Sequence, residues 1–287
     1  MTAVEWIQRC ADELTQAQVA LGQGTLYAHD EASWLVLWAL KLPLDTDTSE
    51  LTAPLTALET QAVQHLLNQR LQTRTPLAYI TREAWLQGVS FYVDERCLIP
   101  RSLIAEVIAE GSADPWLSPH STRALDLCTG GGSLAVLLAL AYPQLHIDAL
   151  DISADALAVA DINIERHGLQ PRVTTRLSDG LEKASGVYDL LVCNPPYVNA
   201  DSMAALPAEF LAEPRLALAG GTDGMDFIRR LLAEAPSFMT DDAVLILEIG
   251  HEIEHFTRAF PALEVMYLTT SAGDEQVMLI TKQALLT

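Results

Sequence analysis

Ala124-Leu-Asp-Leu-Cys-Thr-Gly-Gly-Gly-Ser133 passes from an apolar, strand-like run into three glycines and then into the helical stretch Leu134 to Tyr142. Gly130 and Gly132 permit a tight turn and let a ligand approach the backbone without interference from a Cβ. Asp126 falls near the carboxyl end of the predicted strand, where open α/β sheets bind ligands. Working outward, further strands are predicted at 147–151, 173–177, 190–193, 243–249, 264–268 and 277–281. Helical stretches lie between them, such as 154–167 with Leu157, Ala160 and Ile164 on one face. Strands alternating with helices imply an α/β fold with a parallel, doubly wound sheet. The last two strands follow each other closely, so an antiparallel hairpin is expected at its edge.

Ahead of this region the pattern differs. Val4, Ile7, Ala11, Leu14 and Leu21 recur at helical spacing, as do Leu58, Ala62, Leu66 and, with its stem buried, Arg70. Trp34, Leu35, Trp38 and Leu42 mark another helix ending at Pro43, and the polar stretch from Pro43 to Pro54 is a loop. The expected organisation is a small helical unit over residues 1–84, a hairpin linker over 85–100 with Asp94-Glu95-Arg96 at its tip, and the α/β domain over 101–287.

The chemistry-bearing residues gather at the ends of predicted strands. Asp151 can accept both hydroxyls of a ribose, and Ser178-Asp179-Gly180 is placed for an adenine amino group. Gly130, Gly132 and Asp151 also satisfy a dinucleotide fingerprint. Asp126 favours a different cofactor: a carboxylate before the glycines suits the ammonium of a methionine moiety and repels a pyrophosphate. The expected cofactor is therefore S-adenosyl-L-methionine, with Asp126, Thr129, Gly130, Gly132, Asp151, Ile152, Ser178, Asp179 and Asn194 around it.

Asn194-Pro195-Pro196-Tyr197 ends the fourth strand. An amide or exocyclic amine is a poor nucleophile because its lone pair is delocalised. The Asn194 side-chain oxygen and the Pro195 carbonyl can accept from its two N–H groups, and Pro196 fixes the geometry of that carbonyl. Tyr197 can stack on the planar group and lie near the cofactor's positive sulfur. Transfer then needs mainly positioning. The same chemistry serves a nucleic-acid adenine.

Charge limits the partners. With 38 acidic residues against 17 Lys and Arg the formal charge is −21, and there is no Lys/Arg cluster for a phosphate backbone. DNA is thus disfavoured and a basic protein favoured. Four scattered cysteines without a CxxC pair read as reduced thiols of a cytoplasmic protein, and the longest apolar run is too short for a bilayer. His251-Glu-Ile-Glu-His255 matches a zinc-protease pattern, but His251 follows a predicted strand and no metal is expected. Arg101 can contact substrate or pair with a carboxylate, and Glu248 is poised between a structural and a substrate role.

On DLCTGGGS, ALDIS around Asp151, LSDG, NPPY and EPRLALAGGTDG, the chain resembles the ribosomal-protein and release-factor glutamine methyltransferases. The resemblance covers nearly the whole chain. It implies a helical N-terminal domain before a seven-stranded, Rossmann-like class I methyltransferase domain, and a glutamine side-chain amide as target. Ala84-Trp85, Phe91 to Arg96 and Ile99 to Ser102 are more similar to the branch acting on large-subunit ribosomal protein three. The release-factor branch usually has a Pro-Arg-Pro-Asp-Thr-Glu run where this chain has Pro100-Arg-Ser-Leu-Ile-Ala-Glu106. The resemblance also implies that Asp151 and Asp179 hold ribose and adenine and that Asn194 binds the glutamine amide; Asn194, Pro195, Pro196, Tyr197 and Arg101 are the candidate substrate-binding residues. Cys128 stands where methyltransferases commonly have glycine, and Asn199 where the family has an acidic residue.

Overall fold

Thr2 and Thr56 open helices in the same way. Each hydroxyl accepts from the backbone N–H three residues on, and the glutamate there returns a bond to the threonine backbone. They start α1 (Ala3–Gln16) and α3 (Ala57–Thr73); α2 (Ala28–Ala39) and the short α4 (Leu77–Thr81) complete the helical unit of a computed structural model that describes residues Met1–Thr287. The buried stripe of α1 runs through Trp6, Ile7, Cys10 and Leu14, and that of α3 through Val63, Leu66, Leu67 and Arg70. Val4 and Leu58 therefore face solvent, and Leu21 lies beyond α1, against expectation. Arg70 is buried to its guanidinium, which donates to Glu31 at 2.7 Å.

The hairpin turns earlier than its sequence suggests. β1 (Ala84–Leu86) pairs antiparallel with β2 (Val89–Phe91) about Gln87 and Gly88, both left-handed (φ 49° and 74°), as the two-residue hairpin turn requires. Asp94 to Arg96, the expected tip, follow the hairpin. The Asp94 carboxylate is buried, accepting from Arg96 and from the Tyr92 hydroxyl, and the Arg96 bond first among these holds its pKa down to about 2.

The main sheet contains β3 (Arg123–Leu127), β4 (His146–Asp151), β5 (Val173–Leu177), β6 (Tyr188–Cys193), β7 (Met239–Glu248), β8 (Met266–Thr270) and β9 (Gly273–Thr281) in the order β5-β4-β3-β6-β7-β9-β8. The first five are parallel. β9 inserts antiparallel between β7 and β8, so only β8 of the final hairpin is the edge. Successive strand residues face opposite sides. Leu190 and Val192 thus join the apolar cluster beneath α5 (Ile104–Ala109) and α6 (Ser133–Ala141), whereas Leu191 and Cys193 join the one beneath α10 (Asp226–Glu234) and α11 (Ile253–Ala259). Ala156 and Val159 of α7 (Ala154–Arg166) complete the core of the helical unit, so the two parts share buried surface. No helix is long and apolar enough to cross a membrane. The parallel register sets Leu127 beside Leu150 and Cys193. The residues following β3, β4, β5 and β6 consequently converge at one end of the sheet.

Candidate active site

Two cavities meet at that end. The first, about 240 Å³, is lined by Gly130 after β3, Asp151 and Ile152 at the end of β4, Ser178 and Asp179 after β5, and Asn194 and Pro196 after β6. The second, about 670 Å³, is lined by Asn194, Pro195 and Tyr197, by Arg101 and Glu248, and by Tyr27 and Trp85 from the helical unit and hairpin. Asn194 belongs to both. No backbone N–H donates to the Pro195 carbonyl.

The loop after β3 is held from behind. Asp126 is fully buried; one carboxylate oxygen accepts from the Thr129 hydroxyl and from the Ala135 N–H at 2.9 Å, taking the capping position that glycine leaves empty at the start of α6. Its other oxygen has no partner, and burial raises its pKa to about 7. Neither Asp126 nor Thr129 lines the first cavity; both support the loop from behind. Gly132 is also a packing position: an added Cβ would lie 3.0 Å from the Ala160 Cβ, closing the approach of α6 to α7. Gly130 differs, because a Cβ there would meet nothing within 4 Å. Cys128 carries a left-handed φ of 59°, which explains why glycine suits its position.

Asp151 accepts from the Gly130 and Ser153 N–H groups, each at 2.8 Å, and keeps lone pairs for further donors. Burial raises its pKa despite those bonds. Asp179 is half exposed and paired with Arg230, which lowers its pKa. The Ser178 hydroxyl turns inward to the Gly180 carbonyl at 2.7 Å.

Tyr197 occupies one side of the junction only. It lines the second cavity alone, not the first, and its hydroxyl donates to Glu248 at 3.2 Å. Gly250 lies so close that an added Cβ would be 2.5 Å from Tyr197 Cε2. The ring therefore anchors the segment against the end of β7 and faces the second cavity. Glu248, also bound by Ser102 and the Leu103 N–H, has its pKa raised by burial. Arg101 makes a two-pronged pair with Glu213 at 2.6 and 2.8 Å, the carboxylate option left open by its sequence. His251 precedes α11, so the two histidines of the zinc-like pattern do not share a helix.

Residues 112–245 match the Methyltransferase small domain family. A ribosomal protein uL3 glutamine methyltransferase of Bordetella pertussis is 48% identical, over 99% of this chain and 96% of that one. The Neisseria gonorrhoeae protein of the same name is 44% identical, over 100% and 96%. The chain belongs to the uL3 glutamine methyltransferase family. A crystal structure of the human Mettl16 catalytic domain with an RNA hairpin superposes with a TM-score of 0.53 at 14% identity, over 77% of this chain and 80% of that one, a likeness of fold alone.

For this methyltransferase the donor is S-adenosylmethionine, and the first cavity suits it. The open backbone at Gly130 leaves room for a close ligand, Asp151 and Asp179 offer carboxylate acceptors of the kind a diol and an amine need, and Leu98, Ile152, Leu216 and Phe227 are apolar wall residues. The unpartnered Asp126 oxygen just behind the loop favours a cationic ligand over a phosphate. Glu213 and Glu209 were missed as site-organising residues. Their only sequence signal was the motif around Glu213, which carried no assigned role.

Proposed function

We propose that the chain methylates the side-chain amide nitrogen of a glutamine in ribosomal protein uL3. The single observation that carries this is the placement of Asn194 at the junction of the two cavities, with Pro195 opening only to the second. S-adenosylmethionine supplies the methyl group on a positively charged sulfur that leaves as a neutral thioether. Asn194 and Pro195 act on the acceptor. Their oxygens take hydrogen bonds from the two N–H groups of the amide, turn its lone pair toward the first cavity and stabilise the positive charge that nitrogen gains. A nitrogen proton then passes to water. Pro196 stiffens the carbonyl, and Tyr197, fixed by Glu248 and Gly250, holds the segment in register.

In the same proposal, residues 1–84 recognise the substrate protein, 85–100 link, and 101–287 bind cofactor and react. The net charge of −21 steers a basic substrate toward this surface, favouring free uL3 in the cytoplasm over the assembled ribosome. Incubating purified enzyme and S-adenosylmethionine with free uL3, with intact ribosomes, and with DNA or RNA tests this directly. One methyl group on a glutamine of free uL3, formed fastest there, is the expected mass-spectrometric result. Methylated nucleic acid, or unmodified uL3, would overturn it.

A further inference from the structure

The segment after Tyr197 closes on itself. Val198 donates to Leu218 at 2.8 Å and Gly220 to Val198 at 2.9 Å, tying the ends of a loop that contains two short helices, α8 (Ala200–Ala204) and α9 (Ala208–Leu211). Pro214 and Leu216 of this loop line the first cavity, Leu206, Phe210 and Leu218 the second, and Ala217 both. It is a wall common to the two. Leu211 and Leu216 are exposed on it, yet Glu209 and Glu213, one helical turn apart, are buried. The loop is thus held by its carboxylates.

Glu213 grips Arg101 and accepts from the Ile99 N–H at 3.1 Å, within the α/β part. Glu209 reaches the other way. Its carboxylate lies 2.9 Å from Arg74 Nε and 3.7 Å from Arg70 Nη1, both from the end of α3, and its backbone carbonyl accepts from Gln23 at 3.1 Å. The arginines are themselves fixed. Arg70 pairs with Glu31, and Arg74 donates to the Ala17 and Gln18 carbonyls beyond α1 at 2.9 and 2.8 Å. Neither Glu209 oxygen has a well-directed hydrogen bond, so the two guanidinium charges are its main compensation. Removing a buried ion's partner is costly, because the remaining charge stays uncompensated. A neutral residue at 209 would leave the buried Arg70 and the partly exposed Arg74 facing one glutamate and favour release of the loop from the helical unit.

We propose that Glu209 is a positioning residue for the protein substrate: it fastens the shared cavity wall to the helical unit, so that a substrate docked on that unit meets an already formed second cavity. This rests on the second cavity being the substrate site. Glu209 touches neither cavity, and its effect is transmitted through Leu206 and Phe210.

The test is E209Q, with R74Q as a second variant that removes the half-exposed partner and leaves Arg70. Four quantities are read: KM and kcat for uL3, Kd for S-adenosylmethionine, and the rate of chymotryptic cleavage after Leu211 and Leu216. E209Q is expected to raise KM at least tenfold and cleavage at least tenfold, with kcat within threefold and Kd within twofold of wild type; R74Q shifts KM and cleavage in the same direction by less. E209D, keeping the charge, recovers part of the KM. Unchanged KM and cleavage in both variants would overturn the proposal, as would parallel losses of cofactor affinity and folding, which mark a merely structural role. A wild-type enzyme inactive on uL3 would refute the substrate assignment instead, and the cleavage rates would still report on the latch.

Discussion

Gly250→Ala should damage catalysis through Tyr197 without touching the cofactor. Gly250 has a φ of 53°, and an alanine Cβ would sit 2.5 Å from Tyr197 Cε2 and 2.9 Å from Cζ. The ring has little room to retreat, because its hydroxyl is bound to Glu248 and its backbone is packed against Gly220 and Gly224. Left-handed strain costs about 1 kcal/mol, and overpacking about 1–3 kcal/mol more. At about 2 °C per kcal/mol for a chain of this size, the melting temperature should drop by roughly 4–8 °C. A shift of about 1 Å in the acceptor oxygens lowers single-turnover methyl transfer on the order of a hundredfold, while Kd for S-adenosylmethionine stays level because neither Gly250 nor Tyr197 lines the first cavity. Gly88→Ala is the control: its φ of 74° gives the strain, but no atom lies within 4 Å of the new Cβ. It should lose about 1 kcal/mol and no activity. A G250A enzyme indistinguishable from G88A in melting and rate would refute the anchoring role of Tyr197.

Asp126 predicts a pH dependence. Its folded pKa of about 7 exceeds the ordinary 3.8, so the stability tied to its neutral form is full below pH 3.8 and is lost as pH rises through 7. In urea titrations D126N should therefore gain on wild type between pH 5 and 8, on the order of 2–3 kcal/mol; parallel curves would show that the carboxylate ionises freely. Gly130→Ala projects a methyl group from the backbone lining the first cavity. It should weaken S-adenosylmethionine binding at least tenfold by calorimetry, and unchanged binding would remove this loop from the cofactor site. Tyr197→Phe takes one of three donors from buried Glu248. A stability loss of about 1–2 kcal/mol with a rate within tenfold of wild type is expected, whereas a thousandfold slower but equally stable enzyme would assign the hydroxyl to the reaction itself.

The strand-to-helix turn at Gly130 and Gly132 was legible because local pattern and fold agree there. Buried parallel strands read as short apolar runs, and glycines mark where the chain must reverse. That residues after β4, β5 and β6 line one cavity followed from strand order alone. The hairpin was misplaced because Asp94-Glu95-Arg96 has the composition of a solvated tip, while Asp94 is in fact buried and satisfied by its own neighbours. Gln87 in a left-handed turn leaves almost no trace in sequence. Which cavity Tyr197 faces depends on Gly250 and Glu248, more than fifty residues away. The Glu209 and Glu213 contacts were invisible for the same reason: a glutamate in a polar loop looks solvated until its arginine partner, 112 positions distant for Glu213, is brought beside it.

The central claim is that Asn194 and Pro195 hold the amide while its nitrogen faces the cofactor. Single-turnover methyl transfer to uL3 by N194A, with both ligands saturating, measures it most directly. A rate lower by roughly two to three orders of magnitude is predicted, with uL3 still bound. Methylation by N194A at close to the wild-type rate would contradict the account.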